Sequence, residues 1–450
     1  MSAPPECTRA AAVSADLRHL IHPQHFPPEH AAPVIWASGR GSELTDTGGR
    51  TYLDGLSSMW NVSLGQARPE LVKAASRQLS TLSFGTAYAG TTHEPAIRLA
   101  ETLREIVPPN IEAFFFTSGG SEATETSIRT VRWFWRALGK PQKSKIIARD
   151  LSYHGSSVAA SSATGVDEFS APFGPRLPGF LHIPSPYPYR FNGTGRDAAD
   201  LLEAAILREG PETVAAFIAE PIQGGGGGVI VPQDDYFQRI REICDRYDVL
   251  LIADEVITGF ARTGRWFALE HWGVQPDILQ FAKGITSGYV PMGGIGISAR
   301  TKQVMDSAAS GQRWWHGYTC SAHPLGCAVA LETLRIIREE KLVERSAVKG
   351  ARLLATLRAE LGSHPNVGEI RGLGLMAAVE IVADRETKMP FPDALDIGGK
   401  LRAELFRIGL YTRVLGGIVC LAPPLTSTEP QLDRIAALTI EAIRNVLAKL

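Results

Sequence analysis

Ile252-Ala253-Asp254-Glu255-Val256 is the point at which an apolar run meets two acids. Val249 to Ala253 reads as a short buried strand, so Asp254 stands at its carboxyl end. Open α/β sheets hold their ligands just beyond such ends. A carboxylate there is costly unless it meets a cation, and a protonated ring nitrogen would serve.

Working outward, similar short apolar runs recur at Glu112 to Phe116, Lys145 to Ala148, Val214 to Ala219, Ile278 to Phe281 and Ile295 to Ser298. Helical patterns lie between them, notably Glu122 to Leu138 and Tyr236 to Tyr247. Apolar strands separated by helices predict an α/β domain with a mainly parallel central sheet. From about Pro324 the texture changes. Leu325 to Glu340 and Val343 to Leu361 read as consecutive helices, and Val367 to Val382 and Leu410 to Leu421 hold strand-like runs around a helical Leu401 to Arg407. Gln431 to Leu450 reads as a closing amphipathic helix. The expected division is an N-terminal arm over 1–60 that contributes to the small domain and the active site, a large domain over 61–325 and a smaller α+β domain over 326–450. His19, His22, His25 and His30, interleaved with Pro23, Pro27 and Pro28, predict an extended arm over roughly the first 35 residues, lying on a partner surface.

Composition excludes several classes. The 450 residues carry a net charge of −1, and no basic run offers a field for nucleic acid. No apolar stretch reaches the roughly 18 residues of a membrane span, and the N-terminus lacks the apolar core of an export signal, so a cytoplasmic protein is expected. Cys7, Cys244, Cys320, Cys327 and Cys420 are scattered with no C-x-x-C pair. That pattern predicts no zinc site and no disulfide framework, only buried or inert thiols in a reducing compartment.

Three further motifs bear on chemistry. In Leu279-Gln280-Phe281-Ala282-Lys283-Gly284 a lysine follows an apolar run, 29 residues after Asp254. A lysine held at a sheet end loses its proton more readily than one in water and can act as an amine nucleophile. In Thr117-Ser118-Gly119-Gly120-Ser121-Glu122 small residues lead from a strand into a long helix, where glycine admits an anion to free backbone N–H groups. Neither a Walker A loop nor a dinucleotide fingerprint is present there. In Tyr153-His154-Gly155 an aromatic beside a turn offers a face to a flat ring. Each motif alone has a plain structural alternative: a strand-end lysine, an ordinary capped turn, a core tyrosine. Together they match the protein groups expected around pyridoxal 5′-phosphate.

The chain also resembles the class III, or ω-amino, aminotransferases of the fold-type-I pyridoxal-phosphate enzymes. Thr117 to Ala123, Tyr153-His154-Gly155, Glu220-Pro221-Ile222-Gln223-Gly224, Asp254 to Gly264, Lys283-Gly284 and His316-Gly317-Tyr318-Thr319 carry the resemblance, in the family's order and over nearly the whole chain. It implies that Lys283 is the Schiff-base lysine and proton shuttle, and that Asp254 keeps the pyridine nitrogen protonated. Val256 and Tyr153 would flank the ring, with His154 among the cofactor contacts. Gly120 and Ser121 would bind the phosphate, with Ser118 and Gly119 in the same cradle. Glu220 and Gln223 would sit near the ring substituents. Thr319 would reach the phosphate of a neighbouring subunit, which makes a homodimer the minimum active unit, with a tetramer open. One departure is visible. The family commonly reads Asn-Ser-Gly-Ser where this chain has Ser118-Gly119-Gly120-Ser121, so one hydroxyl is lost and Ser121 and the backbone amides would hold more of the phosphate.

The resemblance further implies a ping-pong transfer of an amino group from an amine or ω-amino acid to a keto acid. Members that use 2-oxoglutarate often carry Glu after Gln-Gly, where this chain has Gly225. Arg413, before Val414-Leu415-Gly416-Gly417, is similar to the mobile arginine of pyruvate-using members and would pair with an acceptor carboxylate. Trp60, in Met59-Trp60-Asn61, and Phe84 are candidates for the donor pocket, together with Tyr153. The favoured acceptor is pyruvate. The alternatives are a 2-oxoglutarate- or S-adenosylmethionine-dependent aminotransferase, an aminomutase, or a non-catalytic protein of the same fold.

Overall fold

The computed structural model describes residues 9–450. Three strands come first: Trp36–Arg40 (β1), Glu43–Asp46 (β2) and Thr51–Asp54 (β3). Seven follow: Ile111–Thr117 (β4), Lys145–Arg149 (β5), Phe180–Ile183 (β6), Val214–Ala219 (β7), Leu250–Asp254 (β8), Ile278–Phe281 (β9) and Gly293–Ser298 (β10). The last five are Val367–Gly372 (β11), Ala377–Ile381 (β12), Leu410–Tyr411 (β13), Arg413–Leu415 (β14) and Ile418–Leu421 (β15).

The seven middle strands form one sheet in the order β4-β10-β9-β8-β7-β5-β6. The pairs β5–β6, β5–β7, β7–β8 and β8–β9 are parallel, and β10 runs antiparallel to both its neighbours. Every residue of β7, β8, β9 and β10 is buried. Leu250 and Ile252 of β8 join one apolar cluster, Leu251 and Ala253 the other. Both faces are therefore covered, which is why these strands read as unbroken apolar runs rather than as an alternation. This is the α/β architecture expected from the sequence.

The C-terminal region contains the helices Pro324–Glu339, Leu342–Leu361, Ile397–Ile408 and Glu429–Leu447 beside an antiparallel sheet in the order β11-β12-β15-β14. The run Leu410 to Leu421 divides into three strands, and β13 leaves this sheet to pair in parallel with β3. The N-terminal sheet thus has the order β1-β2-β3-β13.

One expectation is corrected. The extended arm is largely helical in its described part, with helices Arg9–His19 and Pro27–His30. Ala10-Ala11-Ala12 favours helix, and Pro27 and Pro28 sit in a first turn, where a missing N–H costs nothing. Between them the rings of His22 and His30 stack at 4.2 Å, with His25 beside them. The cysteines divide: Cys244, Cys327 and Cys420 are buried free thiols, Cys320 is exposed, and Cys7 lies outside the described residues. Burial pushes the thiols of Cys244, Cys327 and Cys420 up to about 12. The helices Pro69–Thr81, Glu94–Arg104 and Gly195–Glu209 and the strands β1, β2, β3 and β6 add to the elements read from sequence.

Candidate active site

Five strands of the central sheet end at one place. Asp254 closes β8, Lys283 follows β9 by two residues, and Glu220 follows β7 directly. The turn after β4 brings Gly120 and Ser121, and the turn after β5 brings Tyr153, His154 and Gly155. All eight, with Val256, Ile257 and Ala282, line a single cavity of about 150 Å³. Parallel strands put their carboxyl ends on one edge, so residues far apart in sequence converge without any long excursion of the chain.

Asp254 is 3% exposed. Its Oδ2 lies 2.6 Å from His154 Nδ1, and its Oδ1 accepts the Val256 N–H at 3.1 Å. The buried carboxylate is thereby held by two partners on its own chain, and the His154 ring fixes its orientation. Asp254 and Gln280 are register partners across β8 and β9, which sets the start of the Lys283 turn against the carboxylate.

Lys283 is half-buried and opens a 3-10 turn, Lys283–Ile285, with φ of 44°. A lysine in the left-handed region is strained, and such strain gathers at functional sites. Desolvation pushes its ammonium below the ordinary lysine value. The carboxylates of Asp254 and Glu220 oppose that shift, and the charge of Arg413 adds to it. The result is an amine that gives up its proton more easily than lysine in water.

The cradle forms at the start of the helix Gly120–Ala137. Its N-cap, Gly119, is fully extended and supplies no side-chain cap, so the first-turn amides face outward at the positive end of the helix dipole. A Cβ on Gly120 would meet Val256 Cγ1 at 3.2 Å, and one on Gly155 (φ 131°) would meet Ser121 Oγ at 2.5 Å. Glycine at these two positions keeps the cradle open. The Ser121 hydroxyl accepts the Ser156 N–H at 3.1 Å. Ser118 donates its N–H to Glu122 Oε2 at 2.6 Å, and neither Ser118 nor Gly119 lines the cavity.

Glu220 ties two turns together. Its Oε1 accepts the Tyr153 N–H at 2.9 Å and its Oε2 the Gly224 N–H at 3.0 Å. Burial raises its pKa, the His154 charge lowers it and Asp254 raises it again. Gln223 donates to the Asp150 carbonyl at 2.8 Å and accepts from Ser185, so its amide is committed to scaffolding. The Tyr153 ring packs edge-on against Phe169 at 5.4 Å, and its hydroxyl meets Ser156 at 2.9 Å.

Besides Ser118, Gly119 and Gln223, four further sequence candidates lie outside the cavity wall. Thr319 is exposed at the surface of the chain. Trp60 is 3% exposed and packs in the core with Leu56, Leu64 and Leu71. Phe84 is 46% exposed, its ring against His323 at 5.7 Å. Arg413 places Nη1 3.7 Å from Met59 Sδ and, among the described residues, forms no ion pair. Ile257, Gly155 and Ala282, which stand in the quoted motifs without a role of their own, complete the wall; they are small or apolar side chains. The structure also adds Glu255, fully buried behind Asp254, which accepts from Ala268 N–H at 2.9 Å, Leu269 N–H at 2.8 Å and the Thr258 hydroxyl. Burial pushes the Glu255 carboxyl up to about 7.

The donor set suits a phosphorylated pyridine aldehyde. There is an amine with a lowered pKa, a fixed carboxylate, a glycine-lined helix start for an anion, and an aromatic and a valine on the wall.

Comparison with known proteins agrees. The profile of the family described as aminotransferase class-III matches residues 26–443. The putrescine–pyruvate aminotransferase of Pseudomonas aeruginosa is 41% identical over 443 residues, covering 95% of this chain and 96% of that one. The crystal structure of a transaminase from the marine bacterium Virgibacillus superposes with a TM-score of 0.94 at 43% identity, covering 98% of this chain and 99% of the other. A thermostable (S)-enantioselective ω-transaminase from Thermomicrobium roseum matches with the same TM-score, identity and coverage.

Proposed function

The chain belongs to the class-III aminotransferases, enzymes that use pyridoxal 5′-phosphate to move an amino group from an amine to a keto acid, and we propose that Lys283 and Asp254 are the two residues that fix its cofactor. The convergence of both on one cavity supports this reading above all else. When bound, the cofactor supplies an aldehyde that condenses with amines and a ring that takes up negative charge.

The residues divide the remaining work. Lys283 Nζ would hold the cofactor. As a free amine it would take a proton from the donor carbon, a task its lowered pKa favours. Asp254, steadied by His154, would keep the ring nitrogen protonated. Val256 and Tyr153, both on the cavity wall, would flank the ring. Gly120, Ser121 and the amides of the helix start hold the phosphate, with Ser118 and Gly119 shaping the turn. Glu220 and Gln223 fix the turns beside the ring.

The acceptor we assign is pyruvate. Arg413 carries a guanidinium that no carboxylate of the described residues neutralises, and its charge is felt at Lys283. Both features suit a short keto acid whose carboxylate pairs with Arg413 and whose carbonyl meets the site. A relative named for pyruvate supports the same choice. Trp60 and Phe84 are assigned to the donor side, and Thr319 to the phosphate of a second copy. The exposure of Phe84 and Thr319 on the single chain supports a homodimer in which the partner covers both, and a cytoplasmic location belongs to the same reading. The division at residues 60 and 325 belongs to the same reading, with the β3–β13 pairing joining arm and C-terminal region.

The test is the visible spectrum of the purified holoenzyme. A primary amine is expected to bleach the band and pyruvate to restore it. Restoration by 2-oxoglutarate alone would overturn the acceptor assignment. No band after reconstitution, or a normal band in Lys283→Ala, would overturn the site.

A further inference from the structure

We propose that Gln280 is a positioning residue that locks the phosphate cradle and the Asp254 carboxylate into one rigid unit. Gln280 is a primary amide inside the apolar run Leu279-Gln280-Phe281, and it is fully buried on β9. An apolar side chain would fill a strand interior at no desolvation cost, so a polar one there demands partners. It has them. Its Nε2 donates to Thr124 Oγ1 at 3.1 Å, and its Oε1 accepts from Ser127 Oγ at 3.0 Å. Both partners lie on the cradle helix and are fully buried.

The contacts continue toward the site. Thr124 Oγ1 donates to the His154 carbonyl at 2.7 Å, and His154 Nδ1 meets Asp254 Oδ2 at 2.6 Å. The Gln280 carbonyl accepts the Glu255 N–H at 3.0 Å, one residue past Asp254. Gln280 therefore reaches Asp254 by two routes: through the backbone of β8, and through Thr124 and His154. The same amide sets the cradle helix against β9, three residues ahead of Lys283. Gln280, Thr124 and Ser127 are all paired, and buried polar groups so paired favour one arrangement over its neighbours, because any shift leaves a donor or acceptor unpaired out of water. An amide bonded to two turns of the helix fixes both its height and its rotation against the sheet. Phosphate grip and ring-nitrogen grip are then set by one group that touches neither.

This rests on the assignment of Asp254 to the ring nitrogen, and the experiment separates the two. The holoenzyme is compared with Gln280→Leu, Thr124→Val and Asp254→Asn. The rate of cofactor release is followed by visible absorbance, the titration midpoint of the bound cofactor's band is measured across pH, and thermal unfolding is recorded alongside. Gln280→Leu is expected to speed release about tenfold, in the range seen when supporting partners of a bound group are removed, and to move the band's midpoint. Thr124→Val, which cuts the same route at its next link, is expected to move both in the same direction and to carry the test if the leucine variant does not fold. A lower melting temperature with unchanged release and unchanged midpoint would make Gln280 a core residue only and overturn the proposal. An Asp254→Asn enzyme with normal release and a normal band would overturn the site assignment beneath it.

Discussion

His154 Nδ1 lies 2.6 Å from Asp254 Oδ2, and the two side chains are 0% and 3% exposed. A carboxylate so placed cannot draw on water for its solvation, and the imidazole supplies a charge-assisted contact in its stead. His154→Leu should leave Asp254 with the Val256 N–H as its remaining hydrogen-bond partner and free to rotate. We expect cofactor affinity to fall roughly 10- to 100-fold, the equivalent of the about 1.5–3 kcal/mol that a hydrogen bond to a charged group contributes. Equilibrium titration of the apoenzyme with pyridoxal phosphate measures it; an unchanged affinity would leave His154 with no part in holding the carboxylate.

Lys283→Met should abolish turnover, with a loss of at least about 10²- to 10⁴-fold from the missing proton transfer alone. It should also stabilise the cofactor-free protein. The folded-state pKa of Lys283 is lowered from 10.5 by burial, so between the two values the unfolded chain binds more protons and stability rises with pH. The penalty is full below the folded pKa and fades as pH climbs toward 10.5. The variant's advantage in urea melts should therefore be largest near neutrality and shrink in alkali. A constant difference across that window would contradict the assignment of burial as the cause.

The central sheet was readable because both its faces are covered: β7 is apolar from end to end, β8 is apolar up to its closing Asp254, β9 is apolar but for Gln280, and turn residues bound them. Asp254 and Lys283 stood out for the same reason, as charges ending apolar runs. The N-terminal sheet was not readable. Trp36-Ala37-Ser38-Gly39-Arg40 is mostly exposed and carries neither alternation nor an apolar run, and its sheet is completed by β13 from the far end of the chain. The role of Glu255 was hidden too. Sequence sets it beside Asp254 as a second acid, yet the pleat of the chain points the two opposite ways, one to the cavity and one to the Ala268 and Leu269 amides.

Glu255 gives a pH dependence of the opposite sign to Lys283. Its folded pKa is raised from 4.5 to about 7 by burial, so the folded state binds the extra proton and stability falls as pH rises through that window. The full loss is about 3 kcal/mol at 1.36 kcal/mol per unit. Glu255→Gln keeps one acceptor oxygen and loses the other, which costs about 1–3 kcal/mol. Against wild type, the variant should be the less stable protein near pH 5 and should draw level or pass it by pH 8. Parallel urea-melt profiles over that range would show that the carboxyl stays charged throughout.

Arg413→Leu should separate the two half-reactions. The side chain meets Met59 Sδ at 3.7 Å and no carboxylate among the described residues, so its removal breaks no ion pair and costs little stability. Loss of a bidentate contact to a carboxylate substrate is worth about 1.5–3 kcal/mol, or roughly 10- to 100-fold. The KM for pyruvate should rise by that factor, with the KM for an uncharged amine nearly constant. Equal effects on both would place Arg413 outside the acceptor's reach.

Gly119→Ser should tighten the cradle. Gly119 has φ of −179°, extended backbone open to any residue, and a Cβ built on it finds nothing within 4 Å. The substitution is therefore free of clash, unlike one at Gly120, where Val256 stands 3.2 Å away. Serine also caps a helix N-terminus better than glycine, by a few tenths of a kcal/mol. A hydroxyl at this position restores the one the cradle lacks relative to the family pattern, and a hydrogen bond to a charged phosphate is worth about 1.5–3 kcal/mol. Cofactor release from the Gly119→Ser holoenzyme should slow by roughly tenfold, with the melting temperature unchanged or slightly raised. Release as fast as in wild type would mean that the backbone amides and Ser121 already saturate the phosphate.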